Sequence, residues 1–315
     1  MRFLACAGAV CVLLLLSRTA SAQLIIPDST GDRIMLFDAF DGSLIDADWI
    51  VDSGAVGWEF STPREAMVIG GQVWVSDQIE DAVHRFDLIT RDYVSSITAH
   101  PLGGTLDNLR GLGFDGTNVY VTNGPTGSAN AARRGGAIYD TSGNAIDFFQ
   151  IIGSPFDIEP FEGGVLVSNS DTDNIEFYNA SGVFQNNFAT GVDFPQQVKV
   201  LADGSVLAVS TIAAPGVEGI YHFNANGSLR HYISTEPIEE MVPQGIELLG
   251  DGAYLLSTSA GIYKVIDSGG GNFSFTLVLG GVGGQYINAI PEPSAAGLLL
   301  GAAALLRRRR SARTR

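Results

Sequence analysis

One short segment recurs along the chain: a few apolar residues, then an aromatic residue, then Asp or Asn, then a turn. The intervals between successive copies are 49, 53, 39, 45 and 42 residues. Repeats of roughly 40 to 50 residues are typical of the blades of β-propellers. The repeat therefore limits the fold to about six copies of one unit. The aromatic positions, with a valine in the sixth copy, are Phe37, Phe86, Tyr139, Tyr178, Phe223 and Val265.

Each copy is accompanied by three further segments of similar character. A second apolar stretch such as VWVSDQ comes before it, and five copies have a third that ends in a Gly turn, such as PREAMVIGG. A more degenerate stretch, such as SLIDADWI, follows it. Alternating and β-branched residues predict strands, and the Gly pairs predict hairpins between them. The sequence thus predicts an all-β domain over Gln23–Ile290, a β-propeller of six four-stranded blades.

The first copy lacks its opening strand, because the predicted domain starts at the second strand of that copy. Closure of the ring therefore needs a strand from the C-terminal end, for which Gln285–Ile290 is the remaining candidate. A seven-bladed or open arrangement is the alternative. The longest interval contains the loop Asn123–Gly136, which is the longest predicted surface loop and a candidate contact surface.

The opening strands of propeller blades line the central channel, so their polar residues are the first candidates for a site. Aligning the Gly turns puts Glu65, Arg110, Asp157, Gln197 and Gly245 at one level, with Met67, Leu112, Glu159, Lys199 and Glu247 two residues further on. Carboxylates are the ligands that a hard cation such as Ca²⁺ prefers. The candidate metal ligands are Glu65, Asp157, Glu159 and Glu247.

The positive charges of Arg110 and Lys199 oppose a divalent ion at these levels. Solvated, mutually paired lining residues are the commoner origin of such mixed charge. No motif for a catalytic triad, a zinc site or a phosphate loop accompanies the carboxylates. We therefore predict no catalytic residues and expect no cofactor, with Ca²⁺ or another divalent ion as the alternative.

The repeats resemble those of the NHL, YncE-like and SMP-30-like propellers at the level of pattern. A resemblance to the SMP-30-like lactonases would imply a metal held by inner-strand Glu, Asn and Asp residues that activates water. Glu65 and Asp157 match the acidic members of that pattern. The resemblance thus supplies the rival to a binding or structural module, namely a metal-dependent hydrolase or lactonase.

The first 22 residues have the form of a cleavable secretory signal. A short basic start is followed by 14 apolar residues, Phe3–Leu16, and then by Ala20 and Ala22 at the −3 and −1 positions that signal peptidase needs. Gln23 is then the first mature residue. An uncleaved N-terminal anchor is the alternative. The two cysteines of the chain, Cys6 and Cys11, fall in the part that is removed.

The C-terminus, residues 291–315, has three parts in order: Pro291-Glu292-Pro293, an apolar run Ala295–Leu306, and an arginine cluster. Twelve residues of helix cover about 18 Å, against about 30 Å of hydrocarbon, which is short for a permanent anchor. Arginines beside an apolar segment stay on the cytoplasmic side. The cluster consists of Arg307, Arg308, Arg309 and Arg310, with Arg313 and Arg315 beyond it.

This order of features resembles the PEP-CTERM sorting signal of Gram-negative-type bacteria. The resemblance implies export, transient anchoring in the inner membrane by the short helix, and cutting near Pro-Glu-Pro by an exosortase-like enzyme. The protein would then be released to the cell surface or the exopolysaccharide matrix, where exopolysaccharide or surface proteins would be its partners. A plain C-terminal tail anchor is the alternative.

The charge distribution excludes one class of partner. Of the 18 Lys and Arg residues, two lie before Gln23 and six after Pro293, which leaves ten basic against 34 acidic side chains between them. That region carries a net charge of −24. A surface of this charge repels phosphate backbones, so nucleic acid is not expected as a partner.

Overall fold

Six four-stranded antiparallel sheets form a ring around a central channel, which confirms the predicted six-bladed all-β propeller. The structure is a computed structural model that describes residues 22–126, 128–211, 218–238, 242–269 and 271–291. Most of the secretory signal and the predicted C-terminal helix therefore lie outside the described residues. Within those residues, no helix is both long and apolar enough to cross a membrane.

The first three blades follow the chain from its N-terminal side. Blade 1 contains β1 (Gln23–Asp28), β2 (Arg33–Asp38) and β3 (Leu44–Val51). Blade 2 contains β4 (Pro63–Ile69), β5 (Gln72–Asp77), β6 (Ala82–Asp87) and β7 (Tyr93–Ile97). Blade 3 contains β8 (Leu109–Phe114), β9 (Asn118–Asn123), β10 (Gly135–Asp140) and β11 (Ala145–Gln150).

The other three blades complete the ring. Blade 4 contains β12 (Pro155–Phe161), β13 (Gly164–Asn169), β14 (Asn174–Asn179) and β15 (Phe184–Thr190). Blade 5 contains β16 (Pro195–Val200), β17 (Val206–Ser210), β18 (Gly219–Phe223) and β19 (Leu229–Ser234). Blade 6 contains β20 (Pro243–Leu248), β21 (Tyr254–Thr258), β22 (Gly261–Asp267) and β23 (Phe273–Gly280), and β24 (Asn288–Ile290) returns to blade 1.

Two short 3₁₀ helices lie in connections between strands. Ser128–Arg133 occupies the middle of the loop predicted over Asn123–Gly136, and Glu236–Ile238 follows β19. The long loop is thus partly ordered by local structure.

The recurring aromatic-Asp/Asn pair performs two local tasks at the end of the third strand of each blade. The aromatic side chain is buried, and Phe37, Phe86 and Tyr139 are fully so. In blades 1 to 4 the following Asp or Asn accepts backbone N–H groups of the turn: Asp87 Oδ1 accepts those of Ile89 and Thr90 at 2.9 and 2.8 Å. Such Asx turns stabilise a tight reversal. In blade 5, Asn224 Nδ2 donates to Ser228 Oγ at 2.9 Å instead. The repeat is therefore visible in the sequence because every blade needs both tasks.

The apolar core is divided among the interfaces between blades. Six clusters of buried side chains each join two adjacent blades, and together they cover all six interfaces. The second strand of each blade is buried at nearly every position, whereas the fourth strands are mostly exposed at the rim. This difference in burial explains why the fourth segment of each repeat is degenerate in sequence.

The ring closes through β24, which lies in the C-terminal segment predicted for this role. β24 pairs antiparallel with β1, with Gln23 opposite Ile290 and Ile25 opposite Asn288. Beyond this pairing, Asp28 Oδ1 accepts the N–H of Gly283 at 2.9 Å. Blade 1 is therefore built from both ends of the domain, and the seven-bladed and open alternatives are not adopted.

Removing the closing segment should destabilise the propeller strongly. A chain ending at Gly284 loses the fully buried side chains of Tyr286 and Ile287 and exposes the edge of β1. We expect its thermal midpoint to fall by at least about 10 °C relative to a chain ending at Pro291. Circular dichroism at increasing temperature measures this, and equal midpoints for the two chains would contradict closure by β24.

Candidate functional site

The centre of the ring is lined by the innermost strands β4, β8, β12, β16, β20 and β24. Contacts between blades that are not neighbours show that their side chains meet there. Arg64 of blade 2 donates to Gln196 Oε1 of blade 5 at 3.1 Å. The first five of these strands show a register irregularity close to their start. Such bulges re-aim side chains, so consecutive residues such as Arg64 and Glu65 both contact the centre.

The strand registers assign the lining residues to three levels. Ala66 pairs with Val75, and Leu112 pairs with Val121 at the equivalent place in blade 3. Gly111 is therefore the counterpart of Glu65, and the predicted alignment of Arg110 with Glu65 is wrong by one residue. The reason is that the turn glycine of blade 3, Gly116, stands one place earlier in its hairpin than Gly71 in blade 2.

We name the levels from the end of the channel at which the inner strands begin. The mouth level comprises Arg64, Arg110, Phe156, Gln196, Gln244 and Gln285. The middle level comprises Glu65, Gly111, Asp157, Gln197, Gly245 and Tyr286. The lower level comprises Met67, Gly113, Glu159, Lys199, Glu247 and Asn288.

At the middle level, Glu65 fastens blade 2 to both of its neighbours. Its Oε2 accepts the backbone N–H of Leu112 in blade 3, and its Oε1 accepts from Asn288 Nδ2 of blade 1 at 2.6 Å. Its side chain is 1% exposed. Both carboxylate oxygens are thus engaged by protein donors.

Asp157 in blade 4 and Gln197 in blade 5 repeat this arrangement. Asp157 Oδ2 accepts the N–H of Val198 in blade 5 at 2.8 Å, and its Oδ1 accepts the N–H of Ile158 at 2.8 Å. Gln197 Oε1 accepts the N–H groups of Ile246 in blade 6 at 2.9 Å and Ile287 in blade 1 at 3.0 Å. Three side chains of one level therefore hold blade 2 to blade 3, blade 4 to blade 5 and blade 5 to blade 6 through backbone N–H groups.

Hydroxyl groups of the second strands make a corresponding link at three interfaces. Thr122 Oγ1 of blade 3 donates to the carbonyl of Phe156 in blade 4 at 3.1 Å. Ser76 and Ser257 donate in the same way to the carbonyls of Arg110 and Gln285 in the following blades. With the bond from Tyr286 N to Arg64 O at 3.1 Å, every interface has a polar link near the channel.

The glycines of blade 3 at these levels are required by the neighbouring blade. A Cβ placed at Gly111 would lie 2.5 Å from Asp157 Cα, and one at Gly113 would lie 2.3 Å from Ile158 O. Gly111 and Gly113 therefore allow the inner strands of blades 3 and 4 to lie in close contact.

Burial dominates the electrostatics of the middle level. Burial, with a further contribution from the charge of Asp157, raises the pKa of Glu65 well above its usual range. Burial and the nearby carboxylate of Glu159 raise the pKa of Asp157 to about 7. Proton uptake by these two groups thus begins far above the pH at which ordinary carboxylates titrate.

At the lower level a lysine stands among the carboxylates. Lys199 Nζ donates to Asn288 Oδ1 at 2.6 Å and lies 3.5 Å from Glu247 Oε2. Burial opposes the charge of Lys199, but the carboxylates of Glu247 and Glu159 outweigh it and raise its pKa. Burial likewise raises the pKa of Glu159, against the effect of Lys199. An ammonium ion thus supplies the positive charge at this level.

The four predicted metal ligands lie in the channel, but they divide between two levels with different partners. Glu65 and Asp157 hold neighbouring blades, whereas Glu159 and Glu247 surround Lys199. Across the described ranges, no three His, Cys, Asp or Glu side chains are grouped as a metal would require. Sequence reasoning missed Asn288, whose amide bridges both levels, because it lies in the closing strand outside the repeat.

The mouth level carries two guanidinium groups. Arg64 donates to Gln285 Oε1 at 2.5 Å and to Gln196 Oε1. Arg110 lies over the ring of Phe156, 3.7 Å from its centroid, and donates to Ser154 Oγ and Pro155 O, each at 3.1 Å. Burial lowers the pKa of Arg64 and lowers that of Arg110 to about 10. Both cations are therefore partly removed from water while still charged at neutral pH.

The two faces of the ring differ in shape. The loop containing Ser128–Arg133 follows a second strand and so lies on the same face as the mouth level. The opposite face has a groove of about 710 Å³ between the hairpin turns of blades 3, 4 and 5. Asp115 and Glu162 are among the residues that line it.

Comparison with known proteins supports the fold and leaves the ligand open. No family model matches the sequence, and no curated protein is similar to it. Among solved structures, a chain of a nidogen/laminin complex has a TM-score of 0.64 at 12% identity, covering 85% of this chain and 98% of that one. A protein of unknown function from Bacteroides caccae has a TM-score of 0.60 at 12% identity, covering 87% and 100%.

The WD40 β-propeller domain of Doa1 has a TM-score of 0.55 at 13% identity, covering 82% of this chain and 79% of that one. At such identities the similarity is one of fold alone. It establishes the propeller architecture independently of the repeat analysis.

The raised pKa of Asp157 should make stability depend on pH. A carboxyl group whose pKa is raised on folding, from about 3.8 to about 7, favours the folded state below the lower value. That contribution is lost as the pH rises through about 7. We expect the urea midpoint to fall between pH 5 and pH 8, and to fall less in Asp157→Asn, which cannot titrate. Asp92→Asn, at an exposed turn, is the control, and its urea midpoint should depend on pH as that of the wild type does. If the urea midpoint of Asp157→Asn also falls as much as that of the wild type, the raised pKa of Asp157 is contradicted.

Because protein donors already bond to the channel carboxylates, we expect divalent ions not to stabilise the fold. A site filled at 100 times its dissociation constant adds about 2.7 kcal/mol, which would raise the midpoint of a domain this size by roughly 5 to 10 °C. After treatment with EDTA, we expect Ca²⁺ or Mg²⁺ to leave the thermal midpoint unchanged. A saturable increase that Glu65→Ala or Asp157→Ala abolishes would show that these carboxylates bind metal.

Proposed function

We propose that this protein is exported and displayed at the cell surface or in the extracellular matrix, where its propeller acts as a binding or structural module. The observation that carries the proposal is the use of the channel carboxylates. Glu65 and Asp157 accept hydrogen bonds at both oxygens and join neighbouring blades. Groups employed in this way stabilise the ring and are not free to bind or activate a substrate.

The rival function, a metal-dependent hydrolase or lactonase, has one observation in its favour. Asp157, with a pKa of about 7, could exchange a proton near neutral pH, as a general base must. Its two oxygens, however, already accept the N–H groups of Val198 and Ile158, and its side chain is 2% exposed. A general base must lie within hydrogen-bond reach of the substrate proton, so this geometry favours the binding module.

Export is supported by the ends of the sequence. The part from Gln23 onwards contains no cysteine, so a chain cut before Gln23 has no thiol to oxidise outside the cell. The Pro-Glu-Pro motif, the short apolar run and the arginine cluster together support sorting through an exosortase-like enzyme. The proposed domains are thus the signal, residues 1–22, the propeller, residues 23–290, and the sorting tail, residues 291–315.

Contacts with surface proteins or exopolysaccharide would use the loops of the ring faces. The face at the mouth level is the stronger candidate, because it combines the long loop over 124–134 with the two arginines of the mouth level. The net charge of −24 in the domain keeps it soluble and disfavours nucleic acid as a partner.

Sorting through the tail predicts a defined product. In its native host, the secreted protein should begin at Gln23 and lack Arg307–Arg315, as measured by intact-mass spectrometry. Replacing Pro291, Glu292 and Pro293 with alanine should leave the tail attached and shift the protein to the membrane fraction. A matched triple alanine substitution at Ser311, Arg313 and Thr314, beyond the arginine cluster, should leave processing unchanged. A secreted wild-type product that still carries Arg307–Arg315 would contradict the sorting proposal.

A further inference from the structure

Basic residues of the domain are concentrated at the mouth level and in the adjoining loop, which together we call the sector. Between Gln23 and Pro293 the chain has ten Lys and Arg residues and 34 acidic ones, and four of the ten basic residues lie in this sector. Among the described residues, the ion pairs within 4 Å use Arg33, Lys199, Arg230 and Lys264. The four residues of the sector, which have no carboxylate partner in that set, are Arg64, Arg110, Arg133 and Arg134.

The two mouth arginines also have hydrogen-bond donors to spare. A guanidinium group has five N–H donors. Arg64 uses one bond to Gln285 and one to Gln196, and Arg110 uses one to Ser154 and one to Pro155. A further hydrogen bond joins the Arg64 guanidinium to the Tyr286 side chain. Two N–H donors of Arg64 and three of Arg110 therefore have no acceptor among the described residues, and the Nε atom of each arginine is buried without one. Two guanidinium groups at one mouth favour an acceptor that carries negative charge, because such bonds are stronger than those to neutral oxygens.

Two carboxylates inside the channel do not supply that charge at the mouth, and Asp171, whose charge acts on Arg110, forms no ion pair with it within 4 Å. Glu65 and Asp157 stand one level further in and accept bonds from backbone N–H groups. Burial raises the pKa of both, which disfavours their negative charge. The positive charge of the mouth is therefore incompletely compensated from within the channel.

A neighbouring acceptor restricts the ligand further. Gln244 belongs to the same level, is 8% exposed, and has its Oε1 buried without a donor among the described residues. A ligand that fills the mouth must therefore bring an anionic acceptor for the arginines and a hydrogen-bond donor for Gln244. A carboxylate with a hydroxyl group beside it satisfies both requirements.

We propose that the channel mouth binds a hydroxylated carboxylate, of which a uronate sugar is the type, with Arg64 and Arg110 on the carboxylate and Gln244 on a hydroxyl. This assignment rests on the proposed function as a binding module and names its ligand class. Arg64 is half-buried and so remains in contact with solvent, which gives the ligand access. The surrounding acidic domain repels long polyanions, so a single or terminal uronate fits better than a continuous run of them.

Isothermal titration of the purified chain tests the proposal with four probes: sodium glucuronate, acetate, glucose and inorganic sulfate. Glucuronate should bind saturably, with a dissociation constant on the order of 1 mM for a ligand of this size. Acetate should bind more weakly, and glucose should not bind. The affinity for glucuronate should fall as salt is raised, because charge attraction is screened.

Two substitutions separate the roles of the residues. Arg110→Met keeps an apolar side chain against Phe156 and should weaken both glucuronate and acetate about tenfold or more. Gln244→Met should weaken glucuronate but leave acetate unchanged, since acetate has no hydroxyl. The matched control is Arg85→Met in blade 2. Arg85 lies 5.3 Å from the ring of Trp74 and is not part of the mouth level, so this variant should bind both ligands as the wild type does.

The remaining outcomes are decisive as well. Equal affinity for glucose and glucuronate, or for sulfate and glucuronate, would overturn the assignment of a hydroxylated carboxylate. If Arg110→Met fails to fold, an unchanged affinity of Gln244→Met for glucuronate still overturns it. Protein that is secreted and processed but does not bind glucuronate would refute the ligand and leave surface display standing. Protein that binds glucuronate but is never exported would refute display and leave the mouth site standing.

Discussion

The ring depends on hydrogen bonds that side chains of one blade make to the backbone of the next, at the edge of the channel. Apolar contact between blades supplies most of the burial, but it is non-directional and tolerates sliding. The bonds of Glu65 to Leu112, of Asp157 to Val198 and of Gln197 to Ile246 fix the relative heights of three pairs of neighbouring blades. A ring closed by only a three-residue strand needs this restraint, since a small displacement at every interface would prevent β24 from meeting β1.

The same bonds explain why a channel rich in carboxylates need not be a metal site. A buried carboxylate is costly unless it is hydrogen-bonded, and backbone N–H groups at the start of the neighbouring strand are suitable partners. Gln197 does the same work as Glu65 and Asp157 without charge. The acidic residues of this level thus share their structural role with an amide.

The sequence predicted the parts of the fold that each blade repeats. Buried aromatics such as Phe86 and turn residues such as Asp87 recur because every blade needs them, so their spacing revealed the blade count. The levels of the channel were less predictable, because they depend on registers between strands. The shift at Arg110 arose from one glycine in a hairpin, and Asn288 lay in a segment that belongs to no repeat. The pairing of Glu65 with Leu112 and Asn288 joins residues 47 and 223 positions apart, which no local pattern records.

The place where the chain closes also determines how the domain would stand on an anchor. β24 runs from the mouth level towards the other face, and its last residue, Ile290, is opposite Gln23, the first residue of β1. Both ends of the propeller therefore emerge side by side on the face that carries the groove. A domain attached to a membrane through residues after Ile290 would have that face towards the membrane. Its arginine-bearing mouth would then point away from the membrane. Its orientation towards the surroundings would follow from the topology of a single shared blade.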